Sequence, residues 1–366
     1  MSTPQGAEAK RPQAEAITIH KRTRKRRIVE WFFGLTSLAY FLFYWENNVI
    51  QTRQFERIDA RVPRELDGLT IVQISDLHHK EFGANNKRLL AKVRQAKPDV
   101  IAITGDLIDE RNFDLNFTRR FIAACVDIAP TLYVTGNHEM NFHDHYLFEF
   151  LDAVEASGAY LMDDRAFEIS RQGQTLQFSP KATLPQPRRD DDSRPSIPPQ
   201  ASVTTDTTES EEELLDLLMQ PEEPSQTETE SANPNAILIA GVADPVRYRP
   251  QDTQQLDVAL SCLPRSDQQF AVLLSHRPEA FDVYVKRRFD LTLTGHAHGG
   301  QCRIPGILPN GLIAPNQGWF PRYASGIFEK DSCAMIVSRG LGASVVPTRI
   351  MNRPELVVCR IRHAHD

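Results

Sequence analysis

The chain has 366 residues, of which 41% are hydrophobic and 25% charged, with a formal net charge of −6 at pH 7. This composition is that of an ordinary globular protein, and it argues against nucleic-acid binding. The five cysteines are scattered and odd in number, so they predict neither a disulfide framework nor an all-cysteine metal site.

The first feature along the chain is a basic segment followed by an apolar one. Eight lysines and arginines and one acidic residue lie between Lys10 and Arg27, and an apolar, aromatic run follows at 28–45. Its 18 residues are marginal against the ~20 needed to cross a bilayer, but Trp31 and Trp45 bracket it as interfacial residues do. No small-residue cleavage site follows, so we expect a single-pass anchor rather than a cleaved signal peptide or a buried helix. The basic flank predicts a cytoplasmic tail at 1–27 and an extracytoplasmic domain beyond the anchor.

Five short apolar runs further along the chain predict buried strands, and polar residues follow each of them. The runs are LTIVQI before Asp76, VIAIT before Gly105, LYVT before Gly136, AVLLS before His276 and LTLT before Gly295. Ligands bind outside the carboxyl ends of strands in open α/β sheets, so we expect the polar residues to converge there. The glycines at 105, 136 and 295 predict sharp turns and close backbone approach.

The polar residues have the chemistry of a mixed-ligand metal centre. In chain order they are Asp76-Leu77-His78, Gly105-Asp106, Gly136-Asn137-His138-Glu139, His276 and Gly295-His296-Ala297-His298. Carboxylate, imidazole and amide ligands together suit Mn, Fe or Zn. Two such cations held roughly 3.5–4 Å apart clamp a phosphoryl group and turn a bridging water into hydroxide near neutral pH. A single histidine after a strand is as often a core or surface residue, so the ordered set carries the prediction.

The order D-x-H, G-D, G-N-H-E, H, G-H-x-H resembles the calcineurin-like metallophosphoesterase superfamily. The resemblance implies an α/β fold, a four-layer α-β-β-α sandwich of two mixed sheets, and a phosphohydrolase with two divalent metal ions. It implies one metal bound by Asp76, His78, Asp106 and His298, and a second bound by Asp106, Asn137, His276 and His296. By the same resemblance His138 is a general acid, or a donor to transition-state charge, beside the leaving-group oxygen.

Three further polar residues are candidates for supporting roles. Asp109 lies three residues after Asp106, and we expect it to orient His138 or a metal ligand. Arg277 and Arg339 are candidates for guiding substrate phosphate, because a guanidinium matches phosphate oxygens bidentately. A surface salt bridge is the equal alternative for both arginines.

The residues around these motifs narrow the subfamily. The stretch Met140-Asn141-Phe142-His143 lacks the cysteine and arginine found there in protein Ser/Thr phosphatases. The segments 239–245, 295–301 and 338–342 are similar to bacterial membrane-associated phosphodiesterases of the YkuE and YaeI type, a branch that includes UDP-2,3-diacylglucosamine pyrophosphatases. We therefore expect a phosphodiesterase that acts on lipid headgroups or cell-envelope polymers. The alternatives are a pyrophosphatase of UDP-linked acyl sugars and a non-catalytic binding module, against which the complete ligand set counts.

An acidic insert interrupts the expected domain, 46–366. Residues 185–235 are rich in Pro, Ser and Thr and contain 13 acidic residues against three arginines, which predicts disorder. They separate strand-like segments at 176–178 and 236–239, which we expect to form a hairpin. The insert is therefore predicted to protrude, to be dispensable for catalysis and to be available to an unknown partner. Helices are expected at 86–96, 115–127 and 144–157.

Overall fold

The computed structural model describes residues 13–111, 113–183, 233–245, 253–304, 306–343 and 349–364. Two sheets face each other in it. The first sheet has the spatial order β1 (Gln51–Asp59), β15 (Glu355–His363), β2 (Leu69–Ile74), β3 (Val100–Thr104), β4 (Thr131–Val134), β5 (Tyr160–Leu161). The second sheet has the order β13 (Gly326–Lys330), β14 (Cys333–Val337), β10 (Leu291–Thr294), β9 (Ala271–Leu274), β8 (Ala236–Gly241), β6 (Arg165–Gln172), β7 (Thr175–Thr183). A two-stranded ribbon pairs β11 (Ile313–Ala314) with β12 (Gly318–Trp319).

Both sheets are mixed. In the first, β2 to β5 run parallel and β15 runs antiparallel to β2. In the second, β8, β9, β10 and β14 run parallel, whereas β6 and β13 run antiparallel to their neighbours. Every residue of β2, β3, β9 and β10 is buried, because both faces of these strands are covered. This fits their predominantly apolar sequences, in which the few polar side chains are also buried.

The helices are α1 (Gln13–Asn48), α2 (Lys87–Ala96), α3 (Leu115–Val126), α4 (Asn137–Met140), α5 (Asp144–Ala156), α6 (Thr253–Ser261) and α7 (Phe281–Lys286). Of these, α2, α3 and α5 cover the outer face of the first sheet, and α6 and α7 cover that of the second. Asp114 begins α3 by accepting the N–H of Phe117 at 3.0 Å. Buried side chains form one cluster between the sheets, one beneath α2, α3 and α5, and one beneath α6 and α7. The expected four-layer α-β-β-α sandwich is confirmed, and the expected helices α2, α3 and α5 agree within one residue at each end.

Helix α1 is longer than the predicted run. Its segment Arg26–Asn48 has 23 residues with a mean hydropathy of 1.3, and none of its most apolar window is buried. Its length is about 34 Å at 1.5 Å per residue, enough for a hydrocarbon core of about 30 Å. The large apolar side chains between Ile28 and Trp45 are 41–72% exposed. The alternative of a buried helix is therefore wrong, and the segment is a candidate membrane span or signal sequence.

The expected hairpin around the insert is wrong. Strands β7 and β8 do not pair with each other, because β6 lies between them and pairs antiparallel with both. The two strands are therefore parallel, so the end of β7 and the start of β8 pair toward opposite ends of β6. Of the insert itself, only residues 233–235 lie within the described part of the chain.

Candidate metal centre

The residues of the sequence motifs converge at the carboxyl ends of strands from both sheets. Each follows its strand within a few residues: Asp76 after β2, Asp106 after β3, Asn137 after β4, His276 after β9, and His296 and His298 after β10. Gln73 joins the two sheets beneath them. Its Nε2 donates to Thr104 Oγ1 at 2.8 Å and to the carbonyl of Thr294 at 2.9 Å.

Two groups of possible ligand atoms share one carboxylate. The first group is Asp76, His78, Asp106 and His298, and the second is Asp106, His276 and His296; within each group the atoms lie within 4.8 Å of one another. Asp106 Oδ2 is 3.7 Å from His78 Nε2 and 3.2 Å from His276 Nε2. A shared carboxylate between two compact ligand groups suits a pair of cations.

The turn that carries Asn137 lies beside the shared carboxylate. The next residue, His138, donates its main-chain N–H to Asp106 Oδ1 at 3.0 Å, which holds this turn against the shared carboxylate. Among the residues that the structure describes, the buried Oδ1 of Asn137 has no hydrogen-bond partner. A buried oxygen without a partner is costly, and a cation would satisfy it.

The electrostatics of the cluster also fit cations. Burial lowers the pKa of His78 to about 4 and that of His298 well below its usual range. Both rings are therefore neutral at pH 7, and their Nε2 atoms face each other at 3.2 Å. Although burial opposes it, the charge of Asp106 raises the pKa of His276 to about 10. Two neutral imidazole nitrogens 3.2 Å apart and a carboxylate that attracts positive charge would be suitable ligands for a cation.

The turns that carry these side chains have unusual backbone angles. Asp76, His78, Asp106, His296 and His298 have φ values of 51°, 46°, 54°, 65° and 47°. Non-glycine residues rarely adopt this left-handed conformation, and such strain collects at functional sites. Gly105 shows why its position requires glycine: φ is 82°, and a Cβ would lie 2.6 Å from Gly136 Cα. The predicted close approach is confirmed at this position.

Glu139 holds main-chain N–H groups of the metal centre, a role that its sequence motif did not predict. Its buried carboxylate accepts the main-chain N–H groups of Gly136 at 2.8 Å, Asp106 at 2.9 Å and Leu107 at 2.8 Å. It therefore fixes the turn that presents Asp106. The signal was present, because Glu139 is the last residue of the G-N-H-E motif.

His138 lies beside the shared carboxylate. Its Nδ1 accepts the main-chain N–H of Glu110 at 3.1 Å, so the neutral ring carries its proton on Nε2. That nitrogen is 4.0 Å from Asp106 Oδ2. Asp109 offers a carboxylate oxygen within 4.8 Å of ring nitrogens of His78 and His138. A hydrogen bond from Arg111 holds the pKa of Asp109 well below its usual range.

The two candidate arginines have different surroundings. Arg277 is 2% exposed, and its Nε and Nη2 donate to the Asp244 carboxylate at 2.6 and 2.9 Å. Its Nη1 is 3.0 Å from His296 Nε2, so the alternative of a surface salt bridge is wrong for Arg277. Arg339 instead pairs with Glu355 at 3.2 Å, outside both ligand groups.

A third arginine, Arg349, was not expected from the sequence. It is 1% exposed, its Nε donates to the carbonyl of Gly342 at 2.9 Å, and its Nη2 is 3.4 Å from His298 Nδ1. It follows no strand and belongs to no motif, so no sequence pattern marked it.

A cavity of about 360 Å³ is lined by Glu110, Arg111, Phe113, Asn141, Phe142, His143 and Tyr146. The ring of Phe113 contacts those of Phe142 and Tyr146, with centroids 5.1 and 4.9 Å away. Glu110 connects the cavity with His138 through its main-chain N–H. A planar or apolar group on a substrate would fit against these rings.

Residues 69–300 match the family of calcineurin-like phosphoesterases. The uncharacterized metallophosphoesterase YkuE of Bacillus subtilis is 24% identical over 360 residues, which is 93% of this chain and 99% of YkuE. The UDP-2,3-diacylglucosamine pyrophosphatase LpxG of Chlamydia muridarum is 23% identical over 325 residues, 83% of this chain and 88% of LpxG. The phosphodiesterase YaeI of Escherichia coli is 32% identical over 90 residues, 25% of this chain and 32% of YaeI. The chain therefore belongs to the calcineurin-like phosphoesterase family and is a phosphoric ester hydrolase related to YkuE and YaeI.

Proposed function

We propose that the chain is a membrane-anchored phosphodiesterase with a binuclear metal centre. The observation that carries this proposal is the pair of ligand groups that share Asp106. We assign Asp76, His78, Asp106 and His298 to one cation, and Asp106, Asn137, His276 and His296 to the other. When bound, two divalent cations such as Mn, Fe or Zn would polarise the phosphoryl oxygens and supply a hydroxide nucleophile near neutral pH.

The side chains around the two proposed cation positions orient the metal ligands and supply a proton. His138 has its proton on Nε2, so it is suited to donate to the leaving-group oxygen. Glu139 holds the Asp106 turn, and the pair of Arg277 and Asp244 holds the His296 ring. Asp109 stays ionised, and its negative charge lies near the ring of His138. We assign to Arg339 the attraction of an anionic substrate toward the site.

Phosphodiesters are the preferred substrates in this proposal. The cavity lined by Phe113, Phe142 and Tyr146 would hold one of the two ester substituents that a phosphodiester carries, whereas a monoester carries one substituent only. The similarity to the phosphodiesterase YaeI supports the same class. The second candidate is a pyrophosphatase of UDP-linked acyl sugars, favoured by the three aromatic rings in that cavity and by the similarity to LpxG.

We also propose that α1 stays attached and spans the membrane. Asn47 near its end is 8% exposed and is hydrogen-bonded to the main chain of Arg349, so the end of the helix is part of the folded domain. The basic residues before the span favour a cytoplasmic N-terminus and an extracytoplasmic phosphoesterase domain, 46–366, with the insert 185–235 within it.

The proposal is tested with the full-length chain in detergent, loaded with Mn²⁺. Hydrolysis of bis-p-nitrophenyl phosphate, p-nitrophenyl phosphate and a UDP-linked acyl sugar is compared for the wild type, Asp106→Asn and the exposed control Asp152→Asn. We expect the diester to be cleaved fastest, Asp106→Asn to abolish cleavage and Asp152→Asn to match the wild type. Exclusive cleavage of the UDP-linked sugar would favour the second candidate. Equal turnover by Asp106→Asn would contradict both.

A further inference from the structure

We propose that the phosphoesterase domain rests directly on the bilayer through an apolar surface beside the end of α1, with anionic lipid headgroups as its partner. This seating surface consists of Ile304, Ile307, Trp319, Phe320, Ile350 and Met351. The inference rests on the membrane span proposed above, and the experiment separates the two.

The connection between span and domain is too short for a flexible tether. Helix α1 ends at Asn48 and β1 begins at Gln51, and Ile50 between them is 4% exposed. The ring of Trp45 lies 5.0 Å from the guanidinium of Arg353, whose Nε donates to the carbonyl of Val49 at 3.1 Å. The segment that carries Arg353 therefore lies where the helix leaves the bilayer.

The seating surface is continuous with that junction. Ile350 and Met351 are 52% and 53% exposed and directly follow Arg349, which is bonded to Asn47. The main-chain N–H of Arg303 donates to the carbonyl of Ile350 at 2.9 Å, which brings Ile304 and Ile307 alongside; they are 40% and 74% exposed.

Two aromatic residues complete the surface. Trp319 and Phe320 are 66% and 67% exposed. Like Ile304 and Ile307, they lie in the segment between β10 and β13. The N–H of Phe320 donates to the carbonyl of Leu312, and the N–H of Leu312 donates to the carbonyl of Gly300, both at 2.9 Å. Tryptophan is typical of membrane interfaces, and grouped exposed apolar residues mark interaction surfaces.

The charges around the surface suit anionic lipids. Arg53, Arg303 and Arg339 surround the buried carboxylate of Glu355. Burial and the positive charge of Arg339 lower the pKa of Arg303 to about 10. The positive charge of Arg353 also contributes to a lowered pKa of Arg339. Among the described residues, four guanidinium groups against the carboxylates of Glu355 and Glu46 leave an excess of positive charge, which attracts phosphate headgroups.

The surface and the metal ligands lie at the same end of the sandwich. Asn352, one residue after Met351, donates from Nδ2 to the carbonyl of His298 at 2.7 Å. Strand β15 begins beside the carboxyl end of β2, where Asp76 lies. A domain seated in this way opens its site at the level of the headgroups, so the substrate class we infer is a phosphodiester carried by a lipid in that leaflet.

The test uses the three native tryptophans, Trp31, Trp45 and Trp319. The full-length chain is reconstituted in vesicles of phosphatidylcholine and phosphatidylglycerol, with and without brominated phosphatidylcholine as quencher. Trp31→Phe with Trp45→Phe leaves Trp319 as the reporter of seating, and Trp45→Phe with Trp319→Phe leaves Trp31 as the reporter of the span. The control variant combines Ile58→Trp with a change of all three native tryptophans to Phe.

Ile58 suits this control because it is 57% exposed and lies at the other end of β1, about 23 Å from Gln51. We expect brominated lipid to reduce the fluorescence of Trp319 and Trp31 by roughly twofold or more and to leave the fluorescence of the Ile58→Trp control unchanged. In the Trp319 background, Ile350→Ser with Met351→Ser should weaken quenching and Ile58→Ser should not. Thermal unfolding checks that each variant is folded.

Each outcome decides between the proposals. Quenched Trp31 with unquenched Trp319 would overturn the seating surface and leave the span. Unquenched Trp31 would overturn the span and the seating together. Quenching of the Ile58→Trp control equal to that of Trp319 would show adsorption without a specific face and would overturn the seating surface as well. None of these readings depends on catalysis, so a failure of the proposed phosphodiesterase activity is recognised separately.

Discussion

The side chain of Asn47 exchanges two hydrogen bonds with the main chain of Arg349: Nδ2 donates to the carbonyl at 3.2 Å, and Oδ1 accepts the N–H at 2.8 Å. The guanidinium of Arg349 in turn lies 3.4 Å from Nδ1 of His298. Arg349 thus lies between the last turn of the N-terminal helix and His298, a proposed metal ligand, and contacts both. The end of the helix and the candidate site form one packed unit.

We expect Asn47→Ala to destabilise this junction. The substitution leaves a buried N–H and a buried carbonyl of Arg349 without partners, at a cost of about 1–3 kcal/mol in the free energy of unfolding. Asn48→Ala is the matched control, because the Asn48 side chain donates to Tyr44 within the helix. Denaturant unfolding of the full-length chain in detergent measures both. Equal stability of the two variants would contradict a role of Asn47 in docking the helix.

We expect Glu139→Gln to loosen the Asp106 turn. The carboxylate accepts N–H groups through both oxygens, and the amide nitrogen of glutamine would face donors at one of those positions. The expected loss is at least about 2 kcal/mol in the free energy of unfolding, with metal affinity roughly 10- to 100-fold weaker. Glu149→Gln on the exposed side of α5 is the control. Unchanged metal affinity in Glu139→Gln would remove the positioning role.

We expect His138→Ala to keep its metals and lose turnover. No metal ligand is removed, but the Nε2 proton donor is, and general acid–base catalysis typically contributes on the order of 10²–10⁴ in rate. The measurements are bound metal per chain and kcat on bis-p-nitrophenyl phosphate. His145→Ala, an exposed histidine on α5, is the control and should match the wild type. A kcat in His138→Ala within a few fold of the wild type would reject His138 as the proton donor.

We expect the insert to be dispensable if the replacement is long enough. Thr183 at the end of β7 pairs with Arg165, and Ala236 at the start of β8 pairs with Ser170, on the two sides of β6. The connection must cross two strand spacings and run back five residues, roughly 20 Å. A Gly/Ser linker of about 12 residues in place of 186–234 spans this distance, whereas direct joining does not. Loss of diester hydrolysis in a folded linker variant would show that the insert takes part in catalysis.

We expect the stability of the domain to fall as pH rises toward 7, because of Asp163. Burial raises the pKa of its carboxyl from 3.8 to about 7, while Thr135 donates to it from N and Oγ1 at 2.9 and 3.0 Å. Between these values the folded state binds the proton and the unfolded state does not, so unfolding becomes easier as pH rises, by up to about 4 kcal/mol.

Asp163→Asn removes this proton and should flatten the stability profile between pH 4 and about 7. Asp152→Asn, on an exposed position of α5, should keep the wild-type slope. Unfolding free energies across this range provide the measurement. A wild-type slope retained in Asp163→Asn would assign the pH dependence to other groups.

The sequence was sufficient for the central strands and for the residues that follow them. Strands β2, β3 and β10 are covered on both faces, so their sequences are rich in apolar residues, and a glycine or an aspartate follows each strand within two residues. Residues directly after such strands meet at one end of the sandwich whatever the order of the strands, so the grouping around Asp106 was predictable.

Features that depend on contacts between distant segments were not predictable. The position of β6 between β7 and β8 depends on strand pairing, and strand patterns alone do not determine pairing. The contact of Asn47 with Arg349 joins residues 302 positions apart, and neither residue stands in a motif. The burial of Arg277 depends on Asp244, which lies after a different strand.

Titration of Mn²⁺ into the metal-depleted full-length chain tests the central claim most directly, with bound metal and hydrolysis of bis-p-nitrophenyl phosphate followed together. We expect two ions per wild-type chain and turnover that appears with the second ion, because both ligand groups must be filled around Asp106. Asp106→Asn should fail to hold the pair and should not turn over. Full activity with one ion per chain, or without added metal, would contradict a catalytic centre of two metal ions.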